Sequence, residues 1–209
     1  MWRLLPLLFL AASRLSAATT DLFADLSTWE YVTPDKNAKF ADVCVAKPDG
    51  VLAVAGKPVG YLVTKSSHAN YRLHVEWRWS DKPGNGGVLV HISSGPVDRN
   101  TWPVCFQIQT KNKNVGDLLP MADAKFAEPL STPPDAKTPI LNHSAPDSEK
   151  PVGEWNTADI VCRGETIQVT INGVAQNKVT GCSVHEGAIG LQLEGTPFEL
   201  RNVSLAPLD

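Results

Sequence analysis

The sequence predicts an all-β sandwich of two packed antiparallel sheets, or jelly roll, in a single domain. Three observations carry that prediction: the clearest segments alternate apolar and polar residues with a period of two, clusters of Gly, Pro and Asn separate them, and no stretch sustains a helical period. Gly60–Thr64 is the first strand expected. Tyr71–Trp79 alternates without error, placing Tyr71, Leu73, Val75, Trp77 and Trp79 on one face and Arg72, His74, Glu76 and Arg78 on the other. Residues 87–92 and 106–110 form the next two candidates. From 111 to 152 the alternation stops and prolines accumulate, from Pro120 to Pro151, which predicts a long loop inserted between strands. Loops of that length inside a domain usually serve as lids or binding loops. Strands resume at 157–162. Residues 167–171 and Val174-Ala175 then flank Asn172-Gly173, a dipeptide that accepts the positive φ of a tight hairpin turn. Ala188–Leu193 and residues 198–205 complete the set.

The chain has 209 residues, with 19 Lys+Arg against 22 Asp+Glu for a formal charge of −3, and 43% of its residues are hydrophobic. That apolar content can fill one core. No block of Lys or Arg could neutralise a run of phosphates, so nucleic acid is not an expected partner. Met1-Trp2-Arg3, the apolar run 4–12 and the small residues Ser16-Ala17-Ala18 read as an export signal, residues 1–18, cleaved after Ala17 or Ala18. The run is too short to span a bilayer, so the mature domain, residues 19–209, is expected to be periplasmic or extracellular without membrane insertion. Cys44, Cys105, Cys162 and Cys182 permit two disulfides in three connectivities or four buried thiols, and none sits at metal-ligand spacing.

Chemistry has to be sought on the polar faces of the strands. Glu76 and Arg78 share one face, His91 follows Gly87 and Leu89 by alternation, Gln107 pairs with Gln109, and Gln192 with Glu194. Gln, Asn, Glu, Arg and His interspersed with Trp suit sugar hydroxyls, which need polar partners beside a flat apolar surface. Trp102, Trp155 and Tyr61 are the candidate stacking surfaces.

Taken in order, Glu76-Trp77-Arg78-Trp79, Asn85-Gly86-Gly87-Val88, Trp102-Pro103, Gln107-Ile108-Gln109, Gly116-Asp117, Glu154-Trp155-Asn156, Ile171-Asn172-Gly173, Gly190-Leu191-Gln192-Leu193-Glu194-Gly195 and Glu199-Leu200-Arg201-Asn202 resemble the 3-keto-disaccharide hydrolase domain family, from about Asp21 to the end. The resemblance implies a concanavalin-like jelly roll, an active cleft on a concave sheet, a bacterial periplasmic or surface location, and a 3-keto-glycoside or 3-keto-disaccharide as substrate. This chain departs from the family pattern twice: Gln107 stands where a Glu is usual, and Gly86 where a Ser is usual. An amide does not exchange protons near neutral pH, so Gln107 can only position substrate.

A ketone at sugar carbon 3 acidifies the proton on carbon 2, so a base can start an elimination that expels the glycosidic oxygen, and water then completes a net hydrolysis. The catalytic candidates are His91 or Glu76 as base, Arg78 with Gln107 at the developing oxyanion, and Asp117 or Glu194 at the leaving group. Asn85, Gln109, Gln192 and Trp155, with Arg78 and Gln107, are the substrate-binding candidates. A retaining glycosidase would need two carboxylates about 5 Å apart, for which only Glu76 and Glu194 remain. No motif calls for a metal or other cofactor, although Asp117, His91 and Glu76 would be capable ligands if the fold joined them. The alternative to an enzyme is a carbohydrate-binding module that holds glycans without cleaving them.

Overall fold

A computed structural model describes residues 18–208; the expected export signal therefore lies outside the described residues, apart from Ala18. The strands in chain order are β1 (Thr20–Asp21), β2 (Trp29–Val32), β3 (Cys44–Ala46), β4 (Leu52–Val54), β5 (Gly60–Thr64), β6 (Tyr71–Trp79) and β7 (Gly86–Asp98). They continue with β8 (Trp102–Gln109), β9 (Leu118–Met121), β10 (Asn156–Arg163), β11 (Thr166–Ile171), β12 (Val174–Val179), β13 (Ala188–Leu193) and β14 (Phe198–Pro207). Among the described residues, helix is confined to one short turn, Phe40–Val43, and a 3-10 turn at Leu26–Thr28.

Two antiparallel sheets face each other. The first has eight strands, ordered β12-β11-β10-β6-β14-β4-β3 with β1 added on β14, and the second has six, ordered β2-β5-β13-β7-β8-β9. Alternation decides what lies between them. On β6 the five apolar residues are buried while Arg72, His74, Glu76 and Arg78 point away from the core. Trp77, Trp79, Leu200, Ile160 and Val169 of the first sheet meet Leu62, Leu191, Val88, Val90, Phe106 and Ile108 of the second in one apolar cluster. Burying a side chain of this size contributes about 1.5–3 kcal/mol against leaving it in water, so this layer sets the register of both sheets. All four cysteines are free and buried; burial pushes the thiols of Cys44, Cys162 and Cys182 up to about 12.

The Asn172-Gly173 hairpin forms as expected, with φ of 50° and 80° joining β11 to β12. The segment 111–152 is less irregular than its prolines suggest. It contains β9, which pairs with β8, and a bridge between Leu118 and Leu141 closes the loop back on itself. The four strands β1 to β4 were not expected: each is two to four residues long, too short to show a period.

Candidate active site

The outward face of the second sheet carries a polar floor. Gln107 and Gln109 lie on β8 and Gln192 on β13, with Glu194 just beyond it, all at alternate positions and so on one side. Gln107 Nε2 donates to Gln109 Oε1 at 3.0 Å and to Gln192 Oε1 at 2.9 Å. Gln192 Nε2 in turn donates to Glu194 Oε2 at 2.8 Å, and Asn85 Nδ2 donates to the same oxygen at 2.7 Å. The order Gln109, Gln107, Gln192, Glu194, Asn85 is thus a single hydrogen-bonded chain crossing three strands and a loop. Gly87 makes room for it: a Cβ there would lie 2.7 Å from Gln107 Cγ and 2.9 Å from Gln192 Oε1. The glycine of the Asn85-Gly86-Gly87 motif is therefore a steric requirement of the amide pair.

This floor lies in a cleft of about 1000 Å³. One end is closed by the β7–β8 hairpin, where Trp102 stacks on Tyr61 with ring centroids 6.4 Å apart. The opposite wall comes from the long loop, through Leu119, Phe126, Leu130, Pro134, Pro139 and Ile140. Arg99, Lys111, Lys125 and Lys137 add positive charge to the lining. Glu194 is half-buried, and burial pushes its carboxyl above the usual range against the opposing pull of Arg99 and Lys111. Two polar atoms here have no partner among the described residues: Asn85 Oδ1, which is buried, and Glu194 Oε1. Both are acceptors, and a cluster of hydroxyls would satisfy them.

Five of the expected site residues, Asn85, Gln107, Gln109, Gln192 and Glu194, are brought together, and Trp102 reaches the same lining although its ring is largely buried against Tyr61, which is itself buried and does not line the cleft. The others are not. Glu76, Arg78 and Trp155 stand on the outer face of the first sheet, across the whole core from the cleft. There Arg201 Nε donates to Glu76 at 2.7 Å, Asn202 Nδ2 donates to its other oxygen at 2.7 Å, and Arg78 Nε donates to Glu199 at 2.6 Å, with Lys47 on the second oxygen of Glu199. The guanidinium carbons of Arg78 and Arg201 lie 4.6 and 4.1 Å from the centre of the Trp155 ring. Part burial works to raise the Glu76 pKa, but the donors Asn202 and Arg201 outweigh it and hold the carboxyl below the usual range. Lys47, with help from Arg78, holds Glu199 low as well. Both carboxylates are locked in ion pairs facing away from the cleft, so Glu76 and Glu194 cannot form the close carboxylate pair that a retaining glycosidase needs.

His91 is fully buried in the core. Its φ of 55° and the shift in β7 pairing between Val90 and Ser94 break the alternation, so the ring packs edge-on against Tyr71 of the first sheet, centroids 5.7 Å apart. Its nitrogens face the carbonyls of Val184 and Ala69, both at 3.3 Å, and burial pulls its pKa down. Asp117 is also placed elsewhere: 2% exposed, it accepts the backbone N–H of His143 at 2.8 Å and its ring Nδ1–H at 2.6 Å, bracing the loop behind the cleft wall. His143 is the other half of that brace. Because His91, Glu76 and Asp117 lie in three different places, the ligand set that they would have made does not form.

Residues 18–206 match the family described as the 3-keto-alpha-glucoside-1,2-lyase-like domain. The chain belongs to this family. No curated protein matches it in sequence. Among solved structures, a protein of Parabacteroides distasonis classed as a glycosyl hydrolase is 20% identical with a TM-score of 0.64, covering 91% of this chain and 100% of that one. The carbohydrate-binding module CBM66 from Bacillus subtilis is 10% identical with a TM-score of 0.60, over 86% of this chain and 95% of its own. The LamA catalytic domain of Zobellia galactanivorans is 12% identical with a TM-score of 0.59, over 92% and 98%. At such identities the likeness is one of fold, a jelly roll, and together with the family it indicates a carbohydrate-related role.

Proposed function

We propose that the cleft binds a glycoside oxidised at carbon 3 and cleaves it by elimination followed by hydration, with Glu194 as the proton-transfer group. The observation that carries this reading is the position of Glu194: a half-buried carboxyl at the end of a fixed amide chain, raised in pKa by burial, with Oε1 left free. A base whose pKa is lifted toward the working pH accepts a proton more effectively than one near the ordinary value.

In the first half-reaction, Glu194 takes the proton from carbon 2, and the C–H electron pair forms the enolate across carbons 2 and 3. The negative charge develops on the carbon 3 oxygen, where Gln109 and Arg99 are the available donors, because Gln107 has spent both of its Nε2 hydrogens within the floor. The enolate then re-forms the ketone, the electron pair becomes a bond between carbons 1 and 2, and the glycosidic oxygen leaves with the proton that Glu194 returns. In the second half-reaction Glu194 takes a proton from the water that adds to carbon 1 and delivers it to carbon 2. One carboxyl thus closes the cycle, and Glu76 is not required. Asn85 Oδ1 is left to receive a sugar hydroxyl, and Trp102 offers an apolar edge to the ring.

The leader-like residues 1–18 support placing this activity in the periplasm or outside the cell. A second reading is favoured by the amide at position 107: with three glutamines and one carboxyl on the floor, the cleft would hold glycans without cleaving them. Incubation with a 3-keto-disaccharide decides between the two. Release of the second sugar supports catalysis, and saturable binding with no release supports the module.

A further inference from the structure

We infer that Gln107 is a positioning residue of the cleft: it carries the direction set by the Glu194 carboxylate across the sheet, so that Gln109 turns its Nε2 hydrogens to the substrate as a donor at the developing oxyanion. This rests on the proposal that Glu194 is the proton-transfer group. The direction follows from what each group can give. An ionised carboxylate only accepts, so the two side-chain atoms at 2.7 and 2.8 Å from Glu194 Oε2 have to be the nitrogens of Asn85 and Gln192. Gln192 then faces Gln107 with its oxygen, and only a nitrogen of Gln107 can sit 2.9 Å from it. That nitrogen has one hydrogen left, and at 3.0 Å it meets Gln109, which must offer its oxygen as well. Gln109 Nε2 is what remains. Its two hydrogens have no acceptor among the described residues, and the residue lines the cleft.

The strand order makes the link possible. β7 lies between β8 and β13, and Gly87 on it is paired with Gln109 on one side and with Gln192 on the other. Because Gly87 has no side chain, Gln107 reaches across β7 to Gln192; a Cβ at Gly87 would stand 2.8 Å from Gln107 Nε2. Gln107 and Gln192 are 2% and 4% exposed, so little water competes for these bonds, and a reversed amide would set a buried oxygen against an oxygen. That penalty fixes the direction of the chain before any substrate arrives, which is what a donor aimed at a developing charge requires.

Position 107 therefore calls for an amide. A carboxylate there could only accept, so Gln109 and Gln192 would have to turn their nitrogens toward it. Gln192 would then present its oxygen to Glu194, and the hydrogens of Gln109 would be withdrawn from the cleft.

The test compares turnover of a 3-keto-disaccharide by the parent, by Gln107→Leu, by Gln109→Leu, by the variant carrying both changes and by Gln107→Glu, with a melting curve for each. Gln109→Leu should lower kcat by about 10²–10³, the usual cost of one oxyanion donor, and leave KM within about threefold of the parent, because the lost bond forms in the transition state. Gln107→Leu should lower kcat in the same way, and the double variant should match Gln109→Leu within about twofold; a residue that only supported the floor would add its own loss. Gln107→Glu should lower kcat and move the rising limb of kcat/KM to higher pH, since a second negative charge would join Glu194 beside Arg99 and Lys111. Gln107→Leu should leave that limb in place, because Glu194 keeps both of its donors. The parent alone supplies a check that needs no variant to fold: in the NMR spectrum of the side-chain amides, both Gln107 hydrogens should exchange slowly with water and those of Gln109 quickly. Losses that multiply in the double variant, a Gln109→Leu or Gln107→Glu variant as fast as the parent, an unmoved limb in Gln107→Glu, or slow exchange at Gln109 with fast exchange at Gln107 overturns this inference while leaving Glu194 as the proton-transfer group. No turnover by the folded parent overturns the proposed reaction and this inference with it.

Discussion

Replacing Glu194 by Gln separates proton transfer from every other property of the cleft. Both donors to this residue, Asn85 Nδ2 at 2.7 Å and Gln192 Nε2 at 2.8 Å, converge on Oε2. The amide oxygen of Gln can take that place and its nitrogen the place of Oε1, so the chain of hydrogen bonds survives. Stability should barely change. Two charge-assisted bonds become neutral ones, a loss of about 1 kcal/mol each, but the folded state no longer has to bury an ionised carboxyl. The raised pKa states the sign of that balance: for a carboxyl whose folded pKa lies above its unfolded value, ionisation costs stability as pH rises through that range, so at pH 7 removing the charge offsets the weaker bonds. A melting temperature within about 4 °C of the parent is expected. Turnover of a 3-keto-disaccharide should fall by about 10²–10⁴, the usual contribution of a positioned acid or base. In the parent, kcat/KM should rise with pH through a value above the ordinary 4.5 of a glutamate, as the base ionises, and that limb should vanish in the variant. A variant retaining turnover within about tenfold of the parent would refute the role given to Glu194.

Gly87→Ala should drive a methyl into Gln107 and Gln192, weakening sugar binding and lowering stability by about 1–3 kcal/mol, measured by urea unfolding and by glycan titration. Trp155→Ala should cost about 0.5–1 kcal/mol for each guanidinium that it loses and leave sugar affinity in the cleft as it was; a large loss of affinity would mean that sugar binds on the outer face of the first sheet. Glu76 and Glu199 have folded pKa values below their unfolded ones, so the stability they contribute is present above about pH 4.5 and should drain away as pH falls below it. His91, with its pKa pulled down from 6.5, destabilises the fold as the unfolded state begins to take up its proton below that pH. His91→Leu should flatten the pH dependence of the urea midpoint between about pH 6.5 and 5, and an unchanged slope would mean that the ring is not held neutral in the core.

The sequence announced faces but not sheets. Alternation in Tyr71–Trp79 says that Glu76 and Arg78 point away from the core, and the same rule says so of Gln107, Gln109 and Gln192. A sandwich has two such outer faces. Which one a strand joins depends on pairing over long sequence separations, as in β6 with β14, and no local period encodes that. His91 went astray for a different reason: one residue with φ of 55° ends the alternation and turns the ring inward, and although histidine adopts that conformation more often than most residues, it does so too rarely for the sequence to mark it. The floor amides and Glu194 were legible because each lies on a regular strand or directly beyond one. Arg99, Lys111, Lys125 and Lys137 were not, since they sit on turns and on the proline-rich segment, where only the folded path of the chain brings them to one cavity. The prolines of 111–152 did mark the wall of the site, though not the strand β9 hidden among them.

The most direct measurement is a crystal structure of the Glu194→Gln variant soaked with a 3-keto-disaccharide. Carbon 2 of the oxidised ring should lie about 3–3.5 Å from the side chain at position 194, the separation of a near-attack geometry, with a hydroxyl on Asn85 and the ring edge toward Trp102. A sugar seated on Trp155 and Arg201 instead, or one lying in the cleft with carbon 2 turned away from position 194, would contradict the account.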